Sequence, residues 1–423
     1  MGTCAKLSVD GASARRPLRP VTSPLRFDDA RAVVLDRVSA LARGPAVETV
    51  PLDAALGRSL GRGICADRNY PPFNRSARDG FAVIAADMAS APATLELIGE
   101  TRAGEPSRFS LLPGQTVEIM TGAPGPENAD AVVMVEYSER QGSAVTLHRP
   151  IASGRNLIMA GSETGSGERV LEAGTRIGYP AIALLGTVGC AEVPVYRRPE
   201  VAILSTGDEV LPVDAQPESY QIRNSNAHSL AAQVRRRGGI PRMLPVAKDR
   251  LGDTRRRIED GLRSDLLLLS GGVSMGKHDL VEEVLTDLGA EIFFTKVRIQ
   301  PGKPLVFCQV GGTPVFGLPG NPLSTMVTFE VFASIAVDLL GGAGASPLRF
   351  RKAALAEPFR HKPVLTRFIG GHFTGEHFNV RVRRNKGQGS GDVSAFARSD
   401  CLIVATDRRA EWAAGDLIDV MEL

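Results

Sequence analysis

A chain of 423 residues is too long for one hydrophobic core, so several domains are expected. The formal net charge of +3, with no dense Lys/Arg block interleaved with aromatics, gives a nucleic-acid role little support. No apolar run reaches the length of a membrane span, and the N-terminus lacks an apolar signal core. The cysteines Cys4, Cys65, Cys190, Cys308 and Cys401 are scattered with no Cys-x-x-Cys pair. They signal neither zinc nor a disulfide framework and fit a reducing cytoplasm.

Residues 1–24, rich in Arg, Pro, Ser and Ala without periodicity, are expected to form a loose tail. The stripe Ala30, Val33, Val34, Val38 and Leu41 predicts a helix over Phe27–Leu41, and Pro51–Leu60 reads as a second, short helix ended by Gly61 and Gly63. Asp79-Gly80 reads as a turn before a strand at Phe81–Ile84, and a turn former is what Asp79 amounts to on its own. Strands at Thr94–Ile98, Val117–Met120, Ala131–Val135 and Ala144–Leu147 make a β-rich module. Within it Thr121 opens a Gly/Pro loop, where a Thr ordinarily bonds its own backbone. Gly161-Ser162-Glu163 is a Gly-rich turn, Pro180–Leu185 a helix, and Arg197-Arg198-Pro199 a boundary.

From Val201 the pattern alternates strand and helix. Val201–Leu204 is a strand leading to Ser205-Thr206-Gly207-Asp208-Glu209. A helix near Asn226–Arg237 precedes a strand at Met243–Val246 and then Ala247-Lys248-Asp249. Leu266–Leu269 is a strand buried on both faces. It runs into Ser270-Gly271-Gly272-Val-Ser274 and, after Asp279, a helix marked by Val281, Val284, Leu285 and Leu288. Asp279 reads as a helix N-cap as readily as a ligand. Ile292–Phe294 leads to Lys296 and Gln300-Pro-Gly-Lys303-Pro304. Val315–Leu318 leads to Pro319-Gly320-Asn321-Pro322, with Asn321 as N-cap of a helix that is apolar nearly all round to Leu340. The expected fold is multidomain α/β: a doubly wound parallel-sheet domain, β-rich N-terminal modules, and a small C-terminal β-barrel or sandwich. The C-terminal strands are expected at Ala353–Leu355, Arg367–Ile369, Val380–Arg383, Leu402–Ala405 and Leu417–Met421.

In such sheets ligands sit outside the carboxyl ends of the strands. There this chain carries Asp208, Glu209, Asp249 and Asp279 beside Ser205, Ser270, Ser274, Lys296, Lys303 and Ser324. Clustered carboxylates repel unless a cation sits among them, and Mg²⁺ is the natural oxygen-liganded ion. Lysines, hydroxyls and glycine backbone suit a phosphate or another oxyanion. Together they suit phosphoanhydride chemistry. No Ser-His-Asp grouping, His-Glu-x-x-His or Walker A sequence competes, and His372 and His377 read as surface residues.

These motifs name a family. The chain, from about Leu25 onward, resembles molybdopterin molybdenumtransferase, the MoeA family shared with the E domain of gephyrin. The resemblance rests on Pro71-Pro-Phe…Ser76…Asp79-Gly-Phe-Ala82, Met120-Thr-Gly-Ala, Ala129-Asp-Ala-Val-Val, Ser205-Thr-Gly-Asp-Glu, Asn224-Ser-Asn226, Ser270-Gly-Gly-Val-Ser-Met-Gly…Asp279, Pro301-Gly-Lys-Pro304, Leu318-Pro-Gly-Asn-Pro322 and Gln388-Gly-Ser-Gly391. It implies insertion of molybdate into adenylylated molybdopterin with Mg²⁺, releasing AMP and molybdenum cofactor. It implies a homodimer, with contacts to other cofactor-biosynthesis enzymes open. By motif, the important positions fall on Asp79, Thr121, Glu163, Glu209, Asp249, Asp279, Lys296, Lys303, Pro319 and Pro322, with Glu209, Asp249 and Asp279 as the metal ligands. Substrate contacts extend to Ser205, Thr206, Gly207, Asp208, Ser270, Gly271, Gly272, Ser274, Gly320, Asn321 and Ser324. The implied layout is a tail at 1–24, a linking domain at 25–67 and 155–196, a β-rich lid at 68–154, the α/β domain at 197–340 and the C-terminal β domain at 341–423. Asp79 and Thr121, far in sequence from the strand-end loops, are expected to complete a site shared between subunits.

Five positions depart from the family pattern: Arg78 for Met, Phe81 for Tyr, Ser162 and Glu163 in Gly161-Ser-Glu163 for Gly-Glu-Asp, and Gln300 for a lysine. Two rival functions are an adenylyltransferase-like enzyme and a scaffold without catalysis. The first favours Gly-Gly-Thr-Gly where this chain has Gly271-Gly-Val-Ser274, and the second has no use for the acidic and basic site.

Overall fold

The computed structural model describes residues 23–42, 44–272, 280–344, 348–376, 379–387 and 389–423. The chain divides into two compact units. The smaller comprises Thr49–Leu56 and Leu60–Val195. The larger comprises the residues up to Glu48, Gly57–Ser59 and Tyr196–Leu423.

The smaller unit is built on a six-stranded sheet. Its strands are β1 (Gly80–Val83), β2 (Ala93–Thr101), β3 (Gln115–Ile119), β4 (Ala131–Met134), β5 (Ser138–Gln141) and β6 (Ala144–Leu147), in the order β4-β1-β3-β2-β6-β5. Only β2 and β3 run parallel. Alternation along the strands gives both faces a core. Phe81, Val83, Val133 and Val145 point one way, and Ala82, Val117, Ile119 and Val132 the other. Gly80 is not the turn residue that Asp79-Gly80 suggests. It is the first residue of β1, and a Cβ there would lie 2.0 Å from the Val133 carbonyl oxygen, so only glycine fits between β1 and β4. The helix expected over Pro51–Leu60 is absent. A single 3₁₀ turn at Leu52–Ala54 stands there, and the chain breaks at Gly57 with φ +75°. The helix-like spacing of Leu52, Ala55 and Leu60 reflects burial against Ile177, Leu185 and Val193.

The larger unit is an α/β/α sandwich joined to a barrel. Its elements are α1 (Phe27–Leu41), β7 (Glu200–Ser205), α2 (Ser225–Arg236), β8 (Ile240–Met243), α3 (Leu251–Gly261), β9 (Leu266–Ser270), α4 (Leu280–Asp287), β10 (Glu291–Lys296), β11 (Pro304–Val310), β12 (Thr313–Leu318) and the long helix α5 (Pro322–Leu340). The sheet order is β8-β7-β9-β12-β11-β10. The first four strands are parallel, as the alternating grammar predicts. Of the last two, β11 alone runs against the others, so its pairings with β12 and β10 are both antiparallel; this strand is not among those expected from the sequence. Strand β8 lies nearer the N-terminus than the expected Met243–Val246, since Pro245 cannot continue the ladder.

Ile203, Leu268 and Phe316 form one row across the sheet. One face packs on α1, α2 and α5, the other on α3 and α4. At the carboxyl edge Ser205, Ser270 and Leu318 share a row, so the loops after β7, β9 and β12 start level. Helix α5 is long and apolar enough to cross a membrane, but 78% of it is buried in this core.

The barrel comprises β13 (Arg351–Leu355), β14 (Thr366–Thr374), β15 (Arg381–Arg384), β16 (Cys401–Ala405) and β17 (Leu417–Glu422). The pairings run in the order β14-β15-β13-β17-β16 and return to β14, closing five strands. The short strand Ile299–Gln300 pairs with β14 and so ties the barrel to the α/β body.

Candidate active site

The strand-end loops are held together by side chains that the sequence places just past the strands. Ser205 Oγ donates to Asn224 Oδ1 (3.0 Å), which also accepts the Ala227 N–H (3.1 Å) and so caps α2. Asn226, in the first turn of that helix, donates from Nδ2 to Ser270 Oγ (2.9 Å) and to the Gly320 carbonyl (2.7 Å). It therefore pins the β9 loop to the β12 loop. The motif Asn224-Ser-Asn226 carries this role, which residue type alone did not reveal. Among the described residues two buried oxygens here have no partner, Thr206 Oγ1 and Asn226 Oδ1. Unpaired buried oxygens cost about 1–3 kcal/mol each, which a bound ligand would recover. Glycine lets the β9 loop lie against the first of them: a Cβ on Gly272, at φ +63°, would sit 2.7 Å from Thr206 Oγ1.

On the outer side of this crest the Glu209 carboxylate folds back over Gly207. Asp249 accepts the Asp208 N–H through Oδ2 (3.3 Å). Glu209 and Asp249 are thus brought to the same short segment. Both are exposed, and among the described residues neither has a cationic partner within ion-pair distance. Asp279 and Ser274 lie outside the described residues, and among the described residues no group of three potential metal ligands gathers.

Lys303, Pro319, Asn321 and Ser324 line a second feature, a cavity of ≈ 390 Å³ between the α/β body and the barrel. Gln300, Arg367 and Ser390 also face it. No carboxylate pairs with Lys303 or Arg367 among the described residues. The cavity's own carboxylate, Asp392, caps a short helix by accepting the Ala395 N–H (2.9 Å). Asn321 does not cap α5 with its side chain; its Nδ2 donates instead to Ser390 Oγ (2.8 Å). Pro322 is the first residue of α5, as expected. Ser270 faces the crest and not this cavity, and Lys296 lies in β10 opposite Pro304. Arg367 went unnoticed in the sequence because it sits within a barrel strand, where an Arg reads as a solvated side chain.

In the smaller unit Asp79 and Thr121 meet. Asp79 Oδ1 accepts the Thr121 backbone N–H (2.6 Å) and the Thr121 hydroxyl (2.8 Å). The two bonds, the backbone one foremost, hold the carboxyl below its ordinary range. Thr121 thus serves Asp79 and not its own backbone. Glu163 pairs with Arg75 (3.0 Å). His372 is part-buried and bonded through Nδ1 to Asn385 Oδ1 (2.7 Å), while His377 lies outside the described residues.

Residues 202–338 match the model of a probable molybdopterin binding domain. Residues 25–189 match the MoeA N-terminal region (domain I and II), and residues 352–423 the MoeA C-terminal region (domain IV). The fold and its crest of strand-end loops therefore define a multidomain protein built around a molybdopterin-binding domain. A molybdopterin molybdenumtransferase of Nostoc sp. is 36% identical over 77% of each chain, and one of Bacillus subtilis is 34% identical over 94% of each. On these matches the chain belongs to the molybdopterin molybdenumtransferase (MoeA) family. A crystal structure of a molybdopterin biosynthesis MoeA protein from Pyrococcus horikoshii superposes with a TM-score of 0.80 at 26% identity, covering 95% of this chain and 100% of the other.

Proposed function

We propose that this chain is a molybdopterin molybdenumtransferase, which inserts molybdate into adenylylated molybdopterin and releases AMP. The observation that carries the reading is the cavity holding Lys303 and Arg367, two cations that pair with no carboxylate among the described residues, in a chain of this family. Lys303 Nζ and the Arg367 guanidinium offer donors to a tetrahedral dianion, and Ser324 and Asn321 offer hydroxyl and amide contacts beside them. The level loops Ser205–Glu209, Ser270–Gly272 and Pro319–Asn321 offer backbone N–H groups and the unpartnered Thr206 hydroxyl to the substrate's phosphates.

Glu209 and Asp249 fit a divalent cation, since two carboxylates without a counter-ion among the described residues share one segment; Asp279 is the third ligand by motif. Mg²⁺ bound there would neutralise charge on the leaving phosphate. Asp79, kept ionised by Thr121, is proposed to complete the site from the second subunit of a homodimer. The four described cysteines are all free, which supports a reducing, cytoplasmic setting.

Incubating the purified protein with adenylylated molybdopterin, molybdate and Mg²⁺ should release AMP in step with molybdenum cofactor. Absence of AMP release from folded protein would favour the scaffold reading. Activity in making the adenylylated substrate would favour the adenylyltransferase.

A further inference from the structure

A second cavity, ≈ 620 Å³, opens beside the first. Its walls include Arg360, His361, Lys362, Val364, Leu365, Arg367 and Glu411. Gln300 and Arg367 line both cavities and so form the partition between them.

Three cations face one carboxylate in the second cavity. Glu411 is taken up by Arg360 (3.4 Å), and among the described residues Lys362 and Arg367 have no acidic partner. The walls are fixed rather than loose. The Arg298 guanidinium donates twice to the Val364 carbonyl (3.2 and 2.8 Å), and Thr366 N–H bonds the Arg298 carbonyl (3.0 Å). His361 Nε2 contacts the carbonyls of Thr406 (3.1 Å) and Arg409 (2.8 Å), so it carries the proton. Among the described residues His361 Nδ1 is buried without a partner. The aromatic rings nearby, Phe359 and Trp412, pack on His361 and on each other and do not line the cavity. Among the described residues no phenyl or indole face is offered for a purine or a pterin to stack on. The ligand this chemistry suits is small, polar and doubly negative.

We propose that this cavity is an outer binding site for the tetrahedral oxyanion, occupied before the ion passes Gln300 and Arg367 to reach Lys303. Like-signed walls in a concave surface focus the field and raise the local concentration of the counter-ion. Arg367, common to both cavities, stays within reach of the ion as it moves.

The inference rests on the functional reading above, and its test separates the two. The double variant Arg360→Glu, Lys362→Glu changes only exposed side chains. It should raise the KM for molybdate about tenfold and flatten its dependence on ionic strength. The kcat and the KM for adenylylated molybdopterin should hold. An unchanged KM for molybdate, or equal rises in both KM values, would overturn the outer site. If charge reversal impairs folding, Arg360→Gln, Lys362→Gln should give a smaller shift of the same kind. Calorimetric titration of the protein with sodium molybdate alone needs no turnover. Loss of a weak binding class in the double variant, with retention of the class removed by Lys303→Gln, supports the proposal even if the functional reading fails. Identical isotherms for the double variant and the parent protein reject it.

Discussion

Asp79 accepts two hydrogen bonds from a single residue, and this sets both its charge and its direction. A carboxyl held low in the folded state adds stability above its unfolded pKa, and that stability is lost as the pH falls through the folded value. Thr121→Val removes the hydroxyl bond and keeps the backbone bond, which is the larger cause. The Asp79 titration, followed by carboxyl NMR, should move up part of the way towards the ordinary carboxylate range. An unmoved midpoint would mean that the hydroxyl bond does not matter in solution. At Lys303 the expectation concerns binding. A charge-assisted hydrogen bond contributes roughly 1.5–3 kcal/mol, so Lys303→Gln should weaken molybdate binding at least about tenfold while shifting Tm little. Gln300 lines the same cavity. Gln300→Lys should therefore tighten binding, and calorimetry that shows no change in either variant would reject the oxyanion role.

Among the elements, α5 carries the strongest internal constraint. Phe329–Ala333 forms a π-helical turn, and it places Glu330 inside the body at 3% exposure. Glu330 is bonded by Gln233 (2.7 Å), Arg237 (3.2 Å) and Arg236, all from α2 or its end, while Arg237 also reaches Asp338 (3.3 Å). Arg31 of α1 donates to the Val331 carbonyl, and burial lowers its pKa to about 10, which leaves it charged at neutral pH. These contacts clamp α2, whose other end holds Asn224 and Asn226 at the crest. Glu330→Ala strips the clamp. Breaking a buried pair costs about 3–5 kcal/mol, and the lower figure applies because Arg236 is 48% exposed and can rehydrate. Urea unfolding should show a lower midpoint with an unchanged slope.

The same helix shows what a sequence can and cannot disclose. Its start at Pro322 and its burial follow from a proline at the first position and a surface apolar nearly all round, but nothing in the pattern marks a π turn, which depends on where Glu330 finds its partners. Leu266–Leu269 was legible because a run of four leucines admits no solvent-facing side. Strand β11 was readable in principle: Leu305-Val-Phe-Cys308 is followed by Gly311-Gly312, a two-residue hairpin signal. Pro301 and Pro304, which read as loop, mask its start. The crest residues were legible from strand-end position, whereas Arg367 and the partition role of Gln300 depend on how the barrel packs on the α/β body.

For the whole molecule the open question is whether one chain suffices for one site. The larger unit supplies the crest and the cavity around Lys303, and the smaller unit supplies the paired Asp79 and Thr121. A symmetric dimer in which the smaller unit of each subunit serves the other's crest would give Asp79 a use that a strand-entry position does not require. It would also exclude water from the reacting centre. The discriminating experiment mixes two inactive variants, Asp79→Asn and Glu209→Gln, under conditions where subunits exchange. If sites are shared, each mixed dimer has one site with both lesions and one with neither. At full exchange half of the dimers are mixed, and about a quarter of the parent activity should return. If each site lies within one chain, every site keeps a lesion and the mixture stays inactive. Silence despite subunit exchange, demonstrated by mass spectrometry of differently labelled chains, would reject the shared site.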